Sequence, residues 1–116
     1  MRSDKALLAL SDISYNIRLA RDFTAGMEFS AFCADEKTLY AVIRCLEIVS
    51  EASRRLPPDL KACHPAVPWA QIAGAGNVFR HDYEDVLPRI VWNTVNHQLS
   101  DLEAAVDTEL GPIKPT

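Results

Sequence analysis

Apolar residues recur every three or four positions along most of the chain, which is the spacing of amphipathic helices. No hairpin dipeptide and no sustained alternation of apolar and polar residues indicates a strand. The pattern therefore predicts an all-α protein. The most regular apolar stripe lies near the end of the chain and comprises Trp92, Val95, Leu99, Leu102, Val106 and Leu110.

Residues typical of helix ends bound the first two predicted helices. The first begins after Ser3 or Asp4, whose oxygen can accept hydrogen bonds from the free amides of the first turn, and it ends before Gly26. The second follows Asp35 and stops at Pro57-Pro58, because proline lacks the backbone donor. Between them, residues 29–33 are predicted to form a short extra turn of helix.

Proline also marks the beginning of the third and fourth predicted helices, since it is favoured at the first helical position. The third runs from about Pro68 to Tyr83, and the fourth runs without interruption from Pro88 to Gly111-Pro112. We therefore predict a single domain over residues 1–116, folded as an up-and-down four-helix bundle with one short extra turn.

Composition and charge narrow the function classes. The chain has 116 residues, of which 48% are hydrophobic, as in a soluble globular domain. A net charge of −4 argues against nucleic-acid binding through overall charge, so any RNA site must be a local basic patch. The longest uncharged apolar run, Ala62–Ile72, is too short for a membrane span, and no signal peptide is visible, which predicts a cytoplasmic protein.

Metal and cofactor sites are not predicted. Cys33, Cys45 and Cys63 are an odd set without the CxxC spacing of a zinc site, and they are expected to be free thiols. The sequence Gly74-Ala75-Gly76 lacks the third glycine of a dinucleotide-binding turn.

The third predicted helix carries the candidate chemistry. Asn77, Arg80 and His81 are three and four residues apart, so they share one face, and Tyr83 lies on its flank. An imidazole can exchange a proton at neutral pH, and a guanidinium can hold a phosphate, which together suit phosphodiester cleavage. The alternative is a solvated, salt-bridged helix end, since Asp82 and its acidic neighbours follow directly.

The residues near this set indicate which type of phosphodiester cleavage is expected. No carboxylate cluster suited to magnesium lies beside them, which favours metal-free cleavage by the 2′-hydroxyl of RNA over a two-metal nuclease. Such cleavage needs both a base and an acid, and each chain offers only His81 in this set. A two-fold dimer that places two copies face to face would supply both.

Six segments of the chain match one known family in order, and they are residues 23–27, 34–38, 46–52, 68–74, 81–83 and 91–92. Through them nearly the whole chain resembles the HepT-type proteins of the HEPN superfamily. The resemblance implies an all-helical bundle that forms a homodimer with its active cleft at the dimer interface. It also implies a metal-independent ribonuclease toxin of a bacterial or archaeal toxin–antitoxin pair. The cognate antitoxin would be a minimal nucleotidyltransferase, MntA, which attaches AMP to the tyrosine of the motif.

The family motif is an arginine, four to six residues, and then His-x-Tyr. His81 and Tyr83 match its second half, so the resemblance makes His81 catalytic and Tyr83 the AMPylation target. Asn77 also matches, but Gly76 stands where many members carry arginine. Arg80 is then either a relocated substitute one turn later or a sign that the nuclease is weakened or lost.

Further charged residues bear on binding. Glu51 matches a glutamate of the family and is expected to orient Arg80 or His81, although an exposed glutamate is an equal alternative. The stretch from Asp82 to Glu109 has Arg89 as its only Lys or Arg and is expected to face solvent or a basic partner such as the antitoxin. A candidate RNA-backbone track comprises Arg54, Arg55, Lys61 and His64. The alternative is that Arg54 and Arg55 only complement the dipole at the end of the second helix.

These observations leave two main functions. The first is a toxin that cleaves RNA through Arg80 and His81, with Asn77 and Glu51 supporting the phosphate. The second is a HEPN protein that no longer cuts and acts as partner and substrate of the nucleotidyltransferase. A structural helical adaptor is a third reading.

Overall fold

A computed structural model describes residues 2–81 and 87–111. Within these ranges the chain is helical and contains no β-strand, which confirms the predicted all-α class. The elements are α1 (Asp4–Thr24), α2 (Phe29–Ala34), α3 (Glu36–Arg54), α4 (Pro58–Ala62), α5 (Trp69–His81), α6 (Leu87–Asn93), a π-helical segment (Thr94–Gln98) and α7 (Ser100–Leu110).

The two longest helices begin where their capping residues predict. The Ser3 hydroxyl accepts a hydrogen bond of 3.2 Å from the backbone N–H of Ala6 at the start of α1. The Asp35 carboxylate caps α3 by accepting from the N–H of Thr38 at 3.0 Å and from its hydroxyl at 2.7 Å. These hydrogen bonds to the carboxylate lower the pKa of Asp35.

The core lies where the apolar faces of the long helices meet. α1 packs along α3, α3 packs against α5, and α7 packs against α1. Phe32 of α2 is fully buried, and its ring centroid lies 5.2 Å from that of Trp92 in α6. The ring centroid of Phe29 lies 6.0 Å from that of the same indole, so this aromatic cluster packs the short α2 against α6.

The predicted fourth helix is not continuous. The structure divides it into α6, the π-helical segment and α7. Val91, Val95 and Leu99 are all buried although they are spaced by four and four residues. In an α-helix each four-residue step rotates a stripe by about 40°, and the wider π-helical turn reverses this rotation. The segment therefore keeps all three side chains on the core.

Two further differences concern the connection after α3. α3 ends at Arg54, close to the predicted stop, but Pro58 begins the short helix α4 that sequence spacing did not predict. α5 follows Pro68 as expected, whereas its predicted end at Tyr83 lies outside the described residues. No helix in the described ranges is both long and apolar enough to cross a bilayer.

Candidate functional site

The candidate site is built on α5, which is fixed to α3 through Ser50. The Ser50 hydroxyl donates a hydrogen bond of 3.0 Å to the carbonyl of Ala73 and accepts one of 3.3 Å from the N–H of Gly76. Ser50 is 1% exposed and Gly76 is buried, so this contact lies in the interior. It anchors the turn of α5 that directly precedes Arg80.

The two glycines of α5 differ in their surroundings. Gly74 is exposed, and a Cβ atom built on it would have no neighbour within 4 Å. Gly76 is buried, and its backbone N–H bonds to the hydroxyl of Ser50 in α3. The position at which the resemblance leads us to expect an arginine is therefore a buried glycine in this chain.

The predicted site residues occupy α5 and α3. Asn77 is exposed on α5, and the backbone of Arg80 and His81 forms its last turn, so all three positions belong to one continuous helix. The side chains of Arg80 and His81, and the whole of Tyr83, lie outside the described residues. The roles assigned to these side chains therefore remain predictions.

Glu51 is exposed on α3 and directly follows Ser50. Because Ser50 contacts residues 73 and 76, the backbone of Glu51 lies beside the turn of α5 that leads to Arg80. This position is compatible with an orienting role, and it leaves that role a prediction.

Sequence reasoning missed the contribution of Ser50. The available signal was a serine four residues after the buried Leu46, on the apolar side of an amphipathic helix. A hydroxyl at such a position needs a hydrogen-bond partner, and the backbone of α5 provides two.

Two members of the proposed RNA-backbone track are occupied in polar contacts with carboxylates of the same chain. Arg55 binds the Asp12 carboxylate of α1 at 3.1 Å, and His64 Nε2 lies 2.7 Å from Glu109 Oε2 at the end of α7. Arg55 therefore does more than complement the dipole of α3, because it connects two helices. Arg54, which is exposed, and Lys61 are left as candidates for contact with a backbone.

The carboxylate of Glu109 connects three parts of the chain. Its second partner is Arg2, whose Nε lies 3.0 Å from Oε1, and Arg2 also binds Asp59 of α4 at 2.8 Å. Hydrogen bonds from His64 and then Arg2 lower the pKa of Glu109, against the opposing effect of its burial. This network holds the N-terminus, α4 and the end of α7 together.

The acidic surface predicted between residues 82 and 109 is only partly available to a partner. Glu109 is paired as described, and Glu103 forms an ion pair with Arg21 of α1. Asp101 and Asp107 are exposed on α7. Arg89 lies over the ring of Phe29 at 4.6 Å, which is a cation–π contact within the chain.

The thiols and the potential metal ligands are dispersed. Cys33 and Cys63 are exposed and free, and Cys45 is buried, which raises the pKa of its thiol. In the part of the chain that the structure describes, no three His, Cys, Asp or Glu side chains are grouped so that they could hold a metal ion.

An open groove of about 370 Å³ lies beside α5, between α3, the π-helical segment and α7. Ile72 and Ala75 of α5 contribute to its apolar floor. Polar side chains at the junction of the π-helical segment and α7, among them Gln98 and Asp101, form its rim.

Comparison with known proteins gives consistent matches. The family model described as Ribonuclease HepT-like matches residues 13–109. A Thermococcus cleftensis protein named Probable ribonuclease HepT is 40% identical over 94 residues, covering 81% of this chain and 86% of its own length. The chain belongs to the HepT-like family.

Two other relatives of the HepT-like chain are provisionally named as RNases. One, from Methanocaldococcus jannaschii, is 36% identical over 84% of both chains. Another, from Caldanaerobacter subterraneus subsp. tengcongensis, is 37% identical over 70% of this chain and 72% of its own. No solved structure matches the chain significantly. The HepT-like match includes α3, α5 and both sides of the groove.

Proposed function

We propose that this HepT-like protein is a metal-independent endoribonuclease and the toxin of a toxin–antitoxin pair. The observation that carries the proposal is the position of Asn77, Arg80 and His81 on one helix in a chain of the ribonuclease HepT-like family. Ser50 anchors that helix immediately before Arg80, which gives the proposed site a rigid support.

The proposed reaction needs only side chains and the RNA itself. The imidazole of His81 removes the proton of a 2′-hydroxyl, whose oxygen attacks the adjacent phosphorus. The bond from phosphorus to the 5′-oxygen then breaks, and a second imidazole donates a proton to that leaving oxygen. Arg80 neutralises the additional charge of the five-coordinate phosphorus, and Asn77 orients the phosphate. The products are a cyclic phosphate and a free 5′-hydroxyl.

The second imidazole comes from a second copy in this proposal, since one chain offers one histidine on α5. Exposed large apolar side chains on α1 and α3 support such pairing, because a monomer would leave them in water. Leu8 is 59% exposed, Tyr15 57% and Tyr40 64%. A homodimer of bundles with a cleft between the two α5 helices is the assembly we propose.

The proposed partner is a minimal nucleotidyltransferase of the MntA kind, as the resemblance to HepT-type toxins implies. Transfer of AMP to the Tyr83 hydroxyl, with release of pyrophosphate from ATP, would place a bulky anion two residues after His81. Such a group would exclude the RNA backbone by its size and by charge repulsion.

A second function is favoured by one specific observation. Gly76, at the position of the family arginine, is buried against Ser50 and supplies no guanidinium to the cleft. If Arg80 does not replace it, the protein is a non-cutting partner and substrate of the nucleotidyltransferase.

The test is RNA cleavage by the purified protein in the presence of a chelator. We expect cleavage that ends in cyclic phosphates, its loss in His81→Ala and Arg80→Ala, and its retention in Lys37→Ala, which removes an exposed charge of α3 far from α5 in sequence. Unchanged thermal unfolding would show that the inactive variants are folded. Cleavage by His81→Ala would exclude the proposed mechanism, and a wild type without cleavage would favour the non-cutting partner.

A further inference from the structure

The groove between α5 and α7 is lined by residues other than those proposed to act on RNA. Its floor is apolar, with Ile72, Leu99 and Leu102 among the side chains that form it. Its rim carries polar groups from two sides, Gln71 of α5 and Gln98 and Asp101 across from it. A concave volume of about 370 Å³ is within the range of small-molecule sites.

The groove lies on a different side of α5 from the candidate nuclease residues. Gln71, Ile72 and Ala75 line it, whereas Asn77 follows Ala75 by two positions. Two positions correspond to a rotation of about 200° on an α-helix, so Asn77 lies nearly opposite the groove. A ligand in the groove is therefore separate from the phosphate that Asn77 is proposed to hold.

The polar groups of the rim have free hydrogen-bonding capacity. Within residues 2–81 and 87–111, the side chains of Gln71, Gln98 and Asp101 make no hydrogen bond or ion pair, and all three are exposed. The wall that bears Gln98 is the π-helical segment, and such segments occur frequently at functional sites.

The charged groups of the groove favour a ligand other than a phosphate. Among the described residues that line it, Asp101 is the one carboxylate, His97 is the one imidazole, and no lysine or arginine is present. A ligand that suits this lining offers hydrogen-bond donors to the carboxylate, acceptors to the amide N–H groups of Gln71 and Gln98, and a flat apolar surface to the floor.

We propose that the groove binds a guanine base. The N1–H and N2–H groups of guanine are parallel donors that suit the carboxylate of Asp101, and its O6 and N7 atoms are acceptors for a glutamine amide. Adenine presents an acceptor, N1, where guanine has a donor, so the same carboxylate repels it. A guanidinium can donate to Asp101 and to a glutamine Oε1 atom, but it offers the glutamine N–H groups no acceptor and covers little of the apolar floor.

Two sources can supply this base, a free guanosine nucleotide or one nucleotide of an RNA strand. The binding of guanosine itself goes beyond the proposed ribonuclease and does not depend on it. Only the version in which the base belongs to a substrate RNA rests on the proposed function, where the groove would select strands that contain guanosine.

The test is calorimetric titration of the full-length protein with guanosine, adenosine and cytidine. We expect guanosine to bind at least about tenfold more tightly than adenosine, because one bidentate hydrogen-bonded contact discriminates between two bases by about this factor. Asp101→Asn should lose this preference and gain affinity for xanthosine, whose O2 accepts a hydrogen bond from the new amide. Asp107→Asn is the matched control, because it removes the same charge from exposed α7 outside the groove and should leave guanosine binding unchanged.

A second experiment separates the two sources of the base. It compares the binding of a short uridine oligonucleotide that contains one guanosine with the binding of the same oligonucleotide carrying adenosine at that position. Guanosine-dependent binding of the oligonucleotide identifies RNA as the source, and binding of guanosine without it identifies a free nucleotide. Equal affinity for guanosine and adenosine, no binding at millimolar concentration, or an Asp101→Asn protein that behaves as wild type would overturn the proposal. RNA cleavage that persists in that case leaves the proposed function intact.

Discussion

The hydroxyl of Ser50 in α3 and the backbone N–H of Gly76 in α5 are joined by a buried hydrogen bond of 3.3 Å. The same hydroxyl donates to the carbonyl of Ala73, so a single side chain joins two residues of α5 to α3. Because Arg80 and His81 follow in the next turn, the geometry of the proposed nuclease site depends on a residue that need not contact RNA.

Replacing Ser50 with alanine should therefore affect both stability and cleavage. We expect Ser50→Ala to lower the free energy of unfolding by about 1 kcal/mol, because its hydrogen bonds to α5 are lost. RNA cleavage should fall more than the loss of folded protein explains. Ser53→Ala is the control, since its hydroxyl bonds only to the Ser50 carbonyl within α3. Equal effects of both substitutions on cleavage would exclude a positioning role for Ser50.

The contacts of Glu109 with His64 and Arg2 should make the stability of the folded chain depend on pH. The pKa of Glu109 is lowered in the folded chain, so the unfolded chain takes up its proton first as the pH falls. The stabilisation is complete above the ordinary glutamate pKa and is lost as the pH drops through the lowered value. Thermal unfolding from pH 7 to about pH 3 should therefore show a larger loss for wild type than for Glu109→Gln. Glu28→Gln, at an exposed glutamate, should follow the wild type.

Modification of Tyr83 can be separated from modification of other tyrosines. With the minimal nucleotidyltransferase and ATP, we expect a mass increase equal to one or more AMP groups and loss of RNA cleavage. Tyr83→Phe should gain no mass and should remain active. Tyr15→Phe and Tyr40→Phe are the controls, because they remove the other two tyrosines of the chain, and both proteins should still gain the mass and lose cleavage. A Tyr83→Phe protein that still gains the mass would place the modification elsewhere.

The aromatic cluster around α2 should contribute strongly to stability. Phe32 is fully buried and packs on Trp92, so Phe32→Ala should cost about 3–5 kcal/mol by leaving a cavity. Phe23, which is 42% exposed on α1, is the control, and Phe23→Ala should change the free energy of unfolding by less than about 0.5 kcal/mol. Urea denaturation of the three proteins provides the comparison.

Local signals made most of the fold predictable from the sequence. Ser3 and Asp35 act on the turn that follows them, so their capping roles could be inferred without knowledge of packing. The division of the last predicted helix could not be inferred, because α- and π-helical turns differ by one residue and both fit the apolar stripe around Val95 and Leu99.

The candidate site was less accessible to sequence reasoning, since it depends on contacts between distant residues. The contacts of Arg55 with Asp12 and of His64 with Glu109 join positions far apart in sequence, and no local pattern shows that these side chains have partners. The importance of Ser50 likewise appears only when α3 and α5 are placed together. The spacing of Asn77, Arg80 and His81 was readable because one helix carries all three.

The π-helical segment at Thr94–Gln98 holds about one residue more than an α-helix that turns through the same angle. Removing one residue there would therefore let the chain continue as an uninterrupted α-helix and leave α7 in nearly its present orientation. Leu102 and Val106 would stay in the interior, and Asp101 would stay at the groove. Removing two residues would turn α7 by about 100° about its axis, so a single deletion should be tolerated at this point and a double deletion should not.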